Sequence, residues 1–458
     1  MSLEERNLDE FRRQIDPALF RDDPLATALH SYDATNEFFF PAGVVRPRNA
    51  EDVQNVVTAA NRCRLPLVPR GAGTGFSGGS LPVKGGVVLD FLGMNRLLDL
   101  DEESMTALVE PGLITLHLQE AATGAGLFYP PDPASLKTCT LGGNVAENSG
   151  GPRCVKYGVT RDYVLVIDAI TGDGRALSAG KATLKNRAGY NLKDLLIGSE
   201  GTLAVFHRFL LKLIPKPETQ LLFLAFFRDF DLATGMVNRL MRSGISPSSL
   251  EFMDEFAIRA VEQHARFGLP LEYQALLLIE IDGRADEIPH LRKTAEACLA
   301  GNASEIRVAE HRADQEALWE IRRKTSPALR AFGNRKANED IVVPRKHIPA
   351  ALRGLRDLGQ RKSLNLICFG HIGDGNIHVN IMYDDTVPGE QARVDAAIEE
   401  IFDLVNRFSG AVSGEHGIGI AKIRYLPRNL DRTGYDLMRS LKQLFDPNGI
   451  LNPNKMFY

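Results

Sequence analysis

Between Arg70 and Gly78 the chain reads RGAGTGFSG, which sets Gly73, Gly75 and Gly78 in the spacing GxGxxG. At the mouth of a helix that spacing marks a Rossmann dinucleotide site. Here GGSLPVKGGVVLDF follows, which reads as a turn and then a short strand ending at Asp90. The loop must therefore meet an anionic ligand with bare backbone N–H groups, without a helix dipole behind them. Upstream, RPRNAEDVQNVVTAANRCRLPLV predicts a helix capped by Asn49, with Asp52 three residues on as in a capping box. Val53, Val56, Val57 and Ala60 give that helix one apolar stripe, and LPLV follows as a buried strand. An α/β layer with a glycine loop at its edge is the result.

Two further glycine segments lie in the same part of the chain, YPPDPASLKTCTLGGNVAENSGG at 129–151 and AGYNLKDLLIGSEGTLAVF at 188–206. Glycine lets backbone approach a ligand closely, and Thr, Ser and Asn add short donors. Three such segments point to one long ligand in extended contact. The length of 458 residues requires two or three domains. We expect a helical leader at 1–38, a glycine-rich domain at 39–217, an α+β domain at 218–412 and a glycine-rich C-terminal segment at 413–458. The prolines of LIPKPETQ mark the boundary near 217.

Composition narrows the function. A net charge of -4 argues against a nucleic-acid binder that works by bulk electrostatics. The charged opening MSLEERNLDEFRRQ has no apolar core of a signal peptide, and no apolar run approaches the roughly 20 residues of a membrane helix. Cys63, Cys139, Cys154, Cys298 and Cys368 are scattered, with no CxxC. That excludes a zinc-cysteine or iron–sulfur signature and suits a reducing, cytoplasmic setting.

The stretch CFGHIGDGNIHVNIMY carries the metal question. Gly373, Asp374, Gly375 and Asn376 favour a turn, and the flanks favour strands. A β-hairpin with a four-residue loop, Ile372 paired with Ile377, would stand His371 opposite His378. Two imidazoles so placed can grip a metal ion; they equally describe a polar hairpin face.

Taken together, PRGAGTGFSGG, PPDPASLKTCTLGGNVAENSGG and IGSEGTL resemble the FAD domain of the vanillyl-alcohol-oxidase/PCMH flavoprotein superfamily. GHIGDGNIHVN, SGEHGIGIAK and DPNGILNPNKMF resemble, more narrowly, the branch of D-lactate dehydrogenase, the glycolate oxidase flavoprotein subunit and D-2-hydroxyglutarate dehydrogenase. The resemblance implies an α+β protein: an FAD-binding domain of two α/β subdomains, an α+β substrate or cap domain, and a C-terminal segment returning to the flavin. It implies noncovalent FAD, with Arg70, Gly71, Gly73, Thr74, Gly75 and Ser77 at the pyrophosphate. Asp132, Gly142, Gly143, Asn148, Ser149, Glu200, Gly201 and Val205 would line the rest.

The resemblance further implies one divalent metal on His371, His378 and Glu415, a base at His416, and substrate contacts from Arg322 and Asn380. Two imidazoles and a carboxylate leave an open position for substrate. Zn is the first choice, with Mn or Fe open, since N and O ligands do not settle identity. The expected reaction is oxidation of a D-2-hydroxy acid to the 2-oxo acid. D-lactate is preferred over D-2-hydroxyglutarate, because Asn338 stands where the diacid enzyme has a lysine and Glu339 beside it would repel a second carboxylate. Glycolate oxidation is an alternative; so is a noncatalytic electron-relay subunit. Electrons would leave to a quinone, an electron-transfer flavoprotein or an iron–sulfur partner subunit, which could bring the protein to a membrane surface. A homodimer is compatible with the family.

Overall fold

The computed structural model describes residues 3–457. Their contacts divide them into two compact units. One takes the residues up to Ser149, then Val159–Lys216 and the residues from Glu415 on; the other takes Gly150–Gly158 and Pro217–Gly414.

In the first unit the capped helix forms at Ala50–Cys63, with the Asn49 side chain accepting from the Asp52 N–H. It leads from the strand Gly43–Val45 to the strand Leu67–Arg70, and both pair in parallel with Val87–Asp90. Between Arg70 and Val87 no helix opens, so the glycine loop is a strand-to-strand loop. Val53, Val56, Val57 and Ala60 are buried in one cluster with Phe11 and Leu19 of the leader. The leader also adds the short strand Phe20–Arg21, antiparallel to Gly43–Val45. A second, antiparallel sheet runs Leu97–Asp101, Thr106–Val109, Ala204–Lys212, Val164–Thr171, Ala176–Gly180 in spatial order.

The second unit is built on a seven-stranded sheet in the order Glu305–Ala309, Thr219–Phe227, Ala275–Gly283, Ser249–Asp254, Asn365–Gly370, Asn376–Tyr383, Arg335–Val342. Helices cover both faces, which is why LLFLAFF and ALLLIEI read as continuous apolar runs rather than alternating ones. On one face Leu222, Leu224, Phe226, Met253, Leu276, Leu278, Ile367 and Phe369 pack against Ala257, Ile258, Val261 and Ile321 of the helices Glu255–Ala265 and Arg312–Arg323. Truncating one of these phenylalanines would cost about 3–5 kcal/mol. Polar side chains interrupt this apolar face at one end, and there the candidate site begins. Gly150–Gly158 joins this unit through Lys156 and Tyr157, which bond the Asp282 carboxylate.

Candidate active site and cofactor cradle

The hairpin forms, in a register different from the expected one. Phe369 faces His378, the strands end at Gly370 and Asn376, and the turn is 371–375. The His371 carbonyl accepts from the Asp374 and Asn376 N–H groups, so His371 belongs to the turn and not to the strand. The two imidazoles still meet, edge to face, with ring centroids 5.2 Å apart.

What orients His371 is Glu251, a residue the sequence reading passed over. Glu251 sits mid-strand, fully buried. Its Oε1 lies 2.6 Å from His371 Nδ1 and its Oε2 accepts from Arg322 Nε at 2.6 Å. Burial alone would raise the Glu251 pKa, but the charges of His371 and Arg322 and their hydrogen bonds hold it at about 2. An ionised carboxylate only accepts, so a His371 proton sits on Nδ1 and Nε2 is the atom left for a metal to take. A carboxylate behind an imidazole in this way is the usual support of a metal-ligating histidine. Arg322 rests its guanidinium over the Phe369 ring, 4.7 Å from the centroid. The signal available in sequence was a glutamate between Leu250 and Phe252 in an apolar strand.

A second buried carboxylate, Asp340, lies across the ladder from His378, with Oδ1 3.7 Å from His378 Nδ1. It accepts from Asn376 Nδ2 at 2.5 Å and from the Gly414 N–H at 2.8 Å. Gly414 is the residue before Glu415. Asp340, Asn338 and Lys336 face His378, Asn380 and Met382 in register and share their side of the sheet. Glu339 pairs with Val379 and points to the opposite side, so it cannot repel a diacid as expected. Lys336 belongs to this row, and its Nζ donates to Ser326 Oγ at 3.2 Å. Asn338 Oδ1 and Asn380 Oδ1 are buried without a hydrogen-bond partner.

In the first unit the glycine segments form a cradle, though several expected contacts have other work. Arg70 turns inward, donating to the Tyr32 carbonyl at 2.7 Å and to Ser80 Oγ at 3.1 Å. Gly73 folds over it at φ 68°, and a Cβ there would lie 2.2 Å from the guanidinium. Val205 is a core residue paired with Ile170. Asn148 Oδ1 accepts from the Arg161 N–H at 2.9 Å. Ser149 O accepts from Thr160, and Asp132 is half-buried in the loop before Thr140. Gly142 and Gly143 open the helix Leu141–Glu147, capped by Thr140 Oγ1. Glu200 reaches the loop of His416, and Gly201 adjoins Asn452.

Gly71, Thr74, Gly75 and Ser77 lie in the loop between the strands Leu67–Arg70 and Val87–Asp90. These residues fit FAD on two observations: the hydroxyls of Ser77 and Ser199 are buried with no hydrogen-bond partner, and a Cβ added at Gly75 would meet nothing within 4 Å. Polar groups buried this way are costly unless something completes them. His416 belongs to this unit too, its ring 5.0 Å from that of Phe76 in the glycine loop. Among the described residues no helix is long and apolar enough to cross a membrane.

Comparison with known proteins agrees with this geometry. Residues 41–180 match the FAD binding domain, and residues 216–456 match the C-terminal domain of FAD linked oxidases. The glycolate oxidase subunit GlcD of Bacillus subtilis (strain 168) is 40% identical over 96% of this chain and 94% of that protein. A D-lactate dehydrogenase of Anaerostipes hadrus is 33% identical over 91% of this chain and 90% of its own length. The crystal structure of p-cresol methylhydroxylase with substrate bound has the same fold, with a TM-score of 0.82 at 17% identity over 99% of this chain and 96% of that one. With a cradle built for FAD and both domain families matched in order, the chain belongs to the FAD-linked oxidases, a family of flavin-dependent oxidoreductases.

Proposed function

We propose that the protein is an FAD-dependent, divalent-metal-assisted dehydrogenase that oxidises a small 2-hydroxy acid, glycolate or D-lactate, to the 2-oxo acid. The observation that carries this reading is the Glu251 carboxylate shared by Arg322 and His371. It joins a carboxylate-binding fork to a metal-ligating imidazole in one buried relay. His371, His378 and Glu415 would hold the metal, which would supply Lewis-acid polarisation of the C2 hydroxyl. Arg322, its Nε fixed by Glu251, offers its terminal nitrogens to the substrate carboxylate. Asn380, its Oδ1 buried and without a partner, contacts the substrate beside Arg322. His416 takes the C2 hydroxyl proton, a role suited to an imidazole near neutral pH. Gly71, Thr74, Gly75 and Ser77 would hold FAD noncovalently, and its flavin would supply the hydride acceptor.

The two relatives are named for glycolate and for D-lactate, and the glycolate oxidase subunit has the higher identity. That shifts the preferred substrate from D-lactate alone to glycolate first. The word subunit in its name favours a partner polypeptide that takes the electrons onward. A diacid remains a second reading because Lys336 stands on the same side of the sheet as Asn338 and Asn380. Anaerobic flavin reduction with glycolate, D-lactate and D-2-hydroxyglutarate decides. Glycolate or D-lactate should give the highest kcat/KM; a lead for D-2-hydroxyglutarate would overturn the small-acid assignment.

A further inference from the structure

The loop 415–419 carries His416 between Gly414 and Gly419. One anchor of it lies 218 residues away in the motif IGSEGTL. Glu200 Oε1 accepts from the Ile418 N–H at 2.7 Å, and Glu200 Oε2 accepts from the Gly419 N–H at 2.6 Å. Glu200 is itself fixed: its backbone is left-handed at φ 51°, and its carbonyl accepts from Asn452 Nδ2 at 2.6 Å. Its side chain is buried, with 4% of the residue exposed. Burial pushes the Glu200 carboxyl up, the Ile418 and Gly419 N–H groups draw it back toward the ionised form, and a buried acceptor stripped of such donors is costly. Gly417 completes the fit. It adopts φ 87°, and a Cβ there would lie 2.2 Å from Glu147 Oε2 and 3.0 Å from Glu200 Oε1. On the other side the Ile420 N–H donates to the Ser77 carbonyl at 2.8 Å, and the His416 ring rests near Phe76.

We infer that Glu200 is a positioning residue for His416: through the Ile418 and Gly419 N–H groups it locks the loop 415–419 in the geometry in which His416 takes the substrate proton. Glu200 touches neither substrate nor flavin in this role. The inference rests on the reading of His416 as the base. It departs from the expectation that Glu200 lines the cofactor, since both carboxylate oxygens are engaged by the loop. A carboxylate is needed because glutamine presents one acceptor and one donor, and its donor would face a backbone N–H. Displacing a catalytic group by about 1 Å can cost about 100-fold in rate.

A double-mutant cycle on the FAD-loaded protein tests it, read as anaerobic flavin reduction by glycolate or D-lactate, whichever reduces wild type faster. Glu200→Gln should slow reduction at saturating substrate by about tenfold or more, with KM and FAD content within about twofold of wild type. His416→Asn should slow it by about 100-fold or more. In the His416→Asn background, Glu200→Gln should change the rate by less than about twofold, because the group it positions is already gone. Equal losses in both backgrounds, or no loss in wild type, would overturn the role of Glu200 and leave the base reading standing. A His416→Asn loss below about tenfold would overturn the base reading itself, and this inference with it. Should Glu200→Gln fail to fold or to retain FAD, Glu200→Asp carries the same cycle. It keeps the charge and draws the carboxylate back from the two N–H groups.

Discussion

Glu251→Gln is the sharpest probe of the relay in the second unit. The change preserves shape and removes one charge from a carboxylate that is fully buried and shared by two cationic or polarised partners. Glutamine can accept from Arg322 or from His371, not from both, and its amide N–H₂ must then face another donor. Arg322 would keep its contact with the Phe369 ring. Such a cation–π contact is worth about 0.5–2 kcal/mol, too little to compensate a guanidinium whose side chain is 13% exposed. Breaking a buried ion pair by removing one partner costs about 3–5 kcal/mol, so the variant should lose at least about 3 kcal/mol. Equilibrium unfolding in urea at neutral pH measures this directly. The same variant should bind its metal about 10- to 100-fold more weakly, since His371 loses the carboxylate that fixes its tautomer and ring plane. FAD content should not change, because the glycine cradle belongs to the other unit. A stability loss below about 1 kcal/mol together with unaltered metal affinity would refute the reasoning, for it would mean that Arg322 and His371 do not depend on Glu251.

Other perturbations separate the remaining parts. His371→Ala should abolish metal binding and turnover while the protein stays yellow; normal turnover would end the metal role. Burial pushes the Asp254 carboxyl up to about 7, against the pull of the Cys368 and Ala257 N–H groups. Between about 4 and 7 the native state therefore holds a proton that the unfolded chain releases, and stability falls as pH rises through that window. In Asp254→Asn this dependence disappears, so the excess of wild-type over variant Tm should shrink from pH 4 to pH 7; an excess that grows with pH would contradict the assignment. Lys336→Ala should leave kcat/KM for glycolate within about twofold and reduce that for D-2-hydroxyglutarate by about 10- to 100-fold, the worth of a charged hydrogen bond. An equal effect on both acids would remove Lys336 from the substrate's tail.

The sequence made some elements legible because their cause is local. Asn49 caps its helix with its own side chain, and the residues after Gly78 lack any helix signal, so both follow from neighbours in the chain. The hairpin was visible for the same reason, as turn formers between strand formers. Its register was not: the His371 carbonyl takes the Asp374 and Asn376 N–H groups while its imidazole meets Glu251, a residue distant in the chain. The side on which Glu339 points was within reach, since alternation from Asp340 fixes it once Asp340 is known to face His378.

What stayed hidden has a common physical form. Glu251 and His371 are 120 residues apart, and Glu200 and Ile418 are 218 apart. No periodicity or spacing joins such pairs, because the contact exists only after the sheets have formed. A motif read in isolation assigns every polar residue to the ligand, as it assigned Arg70 and Glu200 to FAD. In the fold Arg70 spends its donors on Tyr32 and Ser80, and Glu200 spends both oxygens on the loop of His416. A glycine-rich loop has little stiffness of its own, so some of the charged residues of such motifs must hold one loop to the next before any can hold a cofactor. Among the buried oxygens left without partners, those of Ser77 and Ser199 in one unit and of Asn338 and Asn380 in the other are therefore better pointers to what binds than the charges beside them.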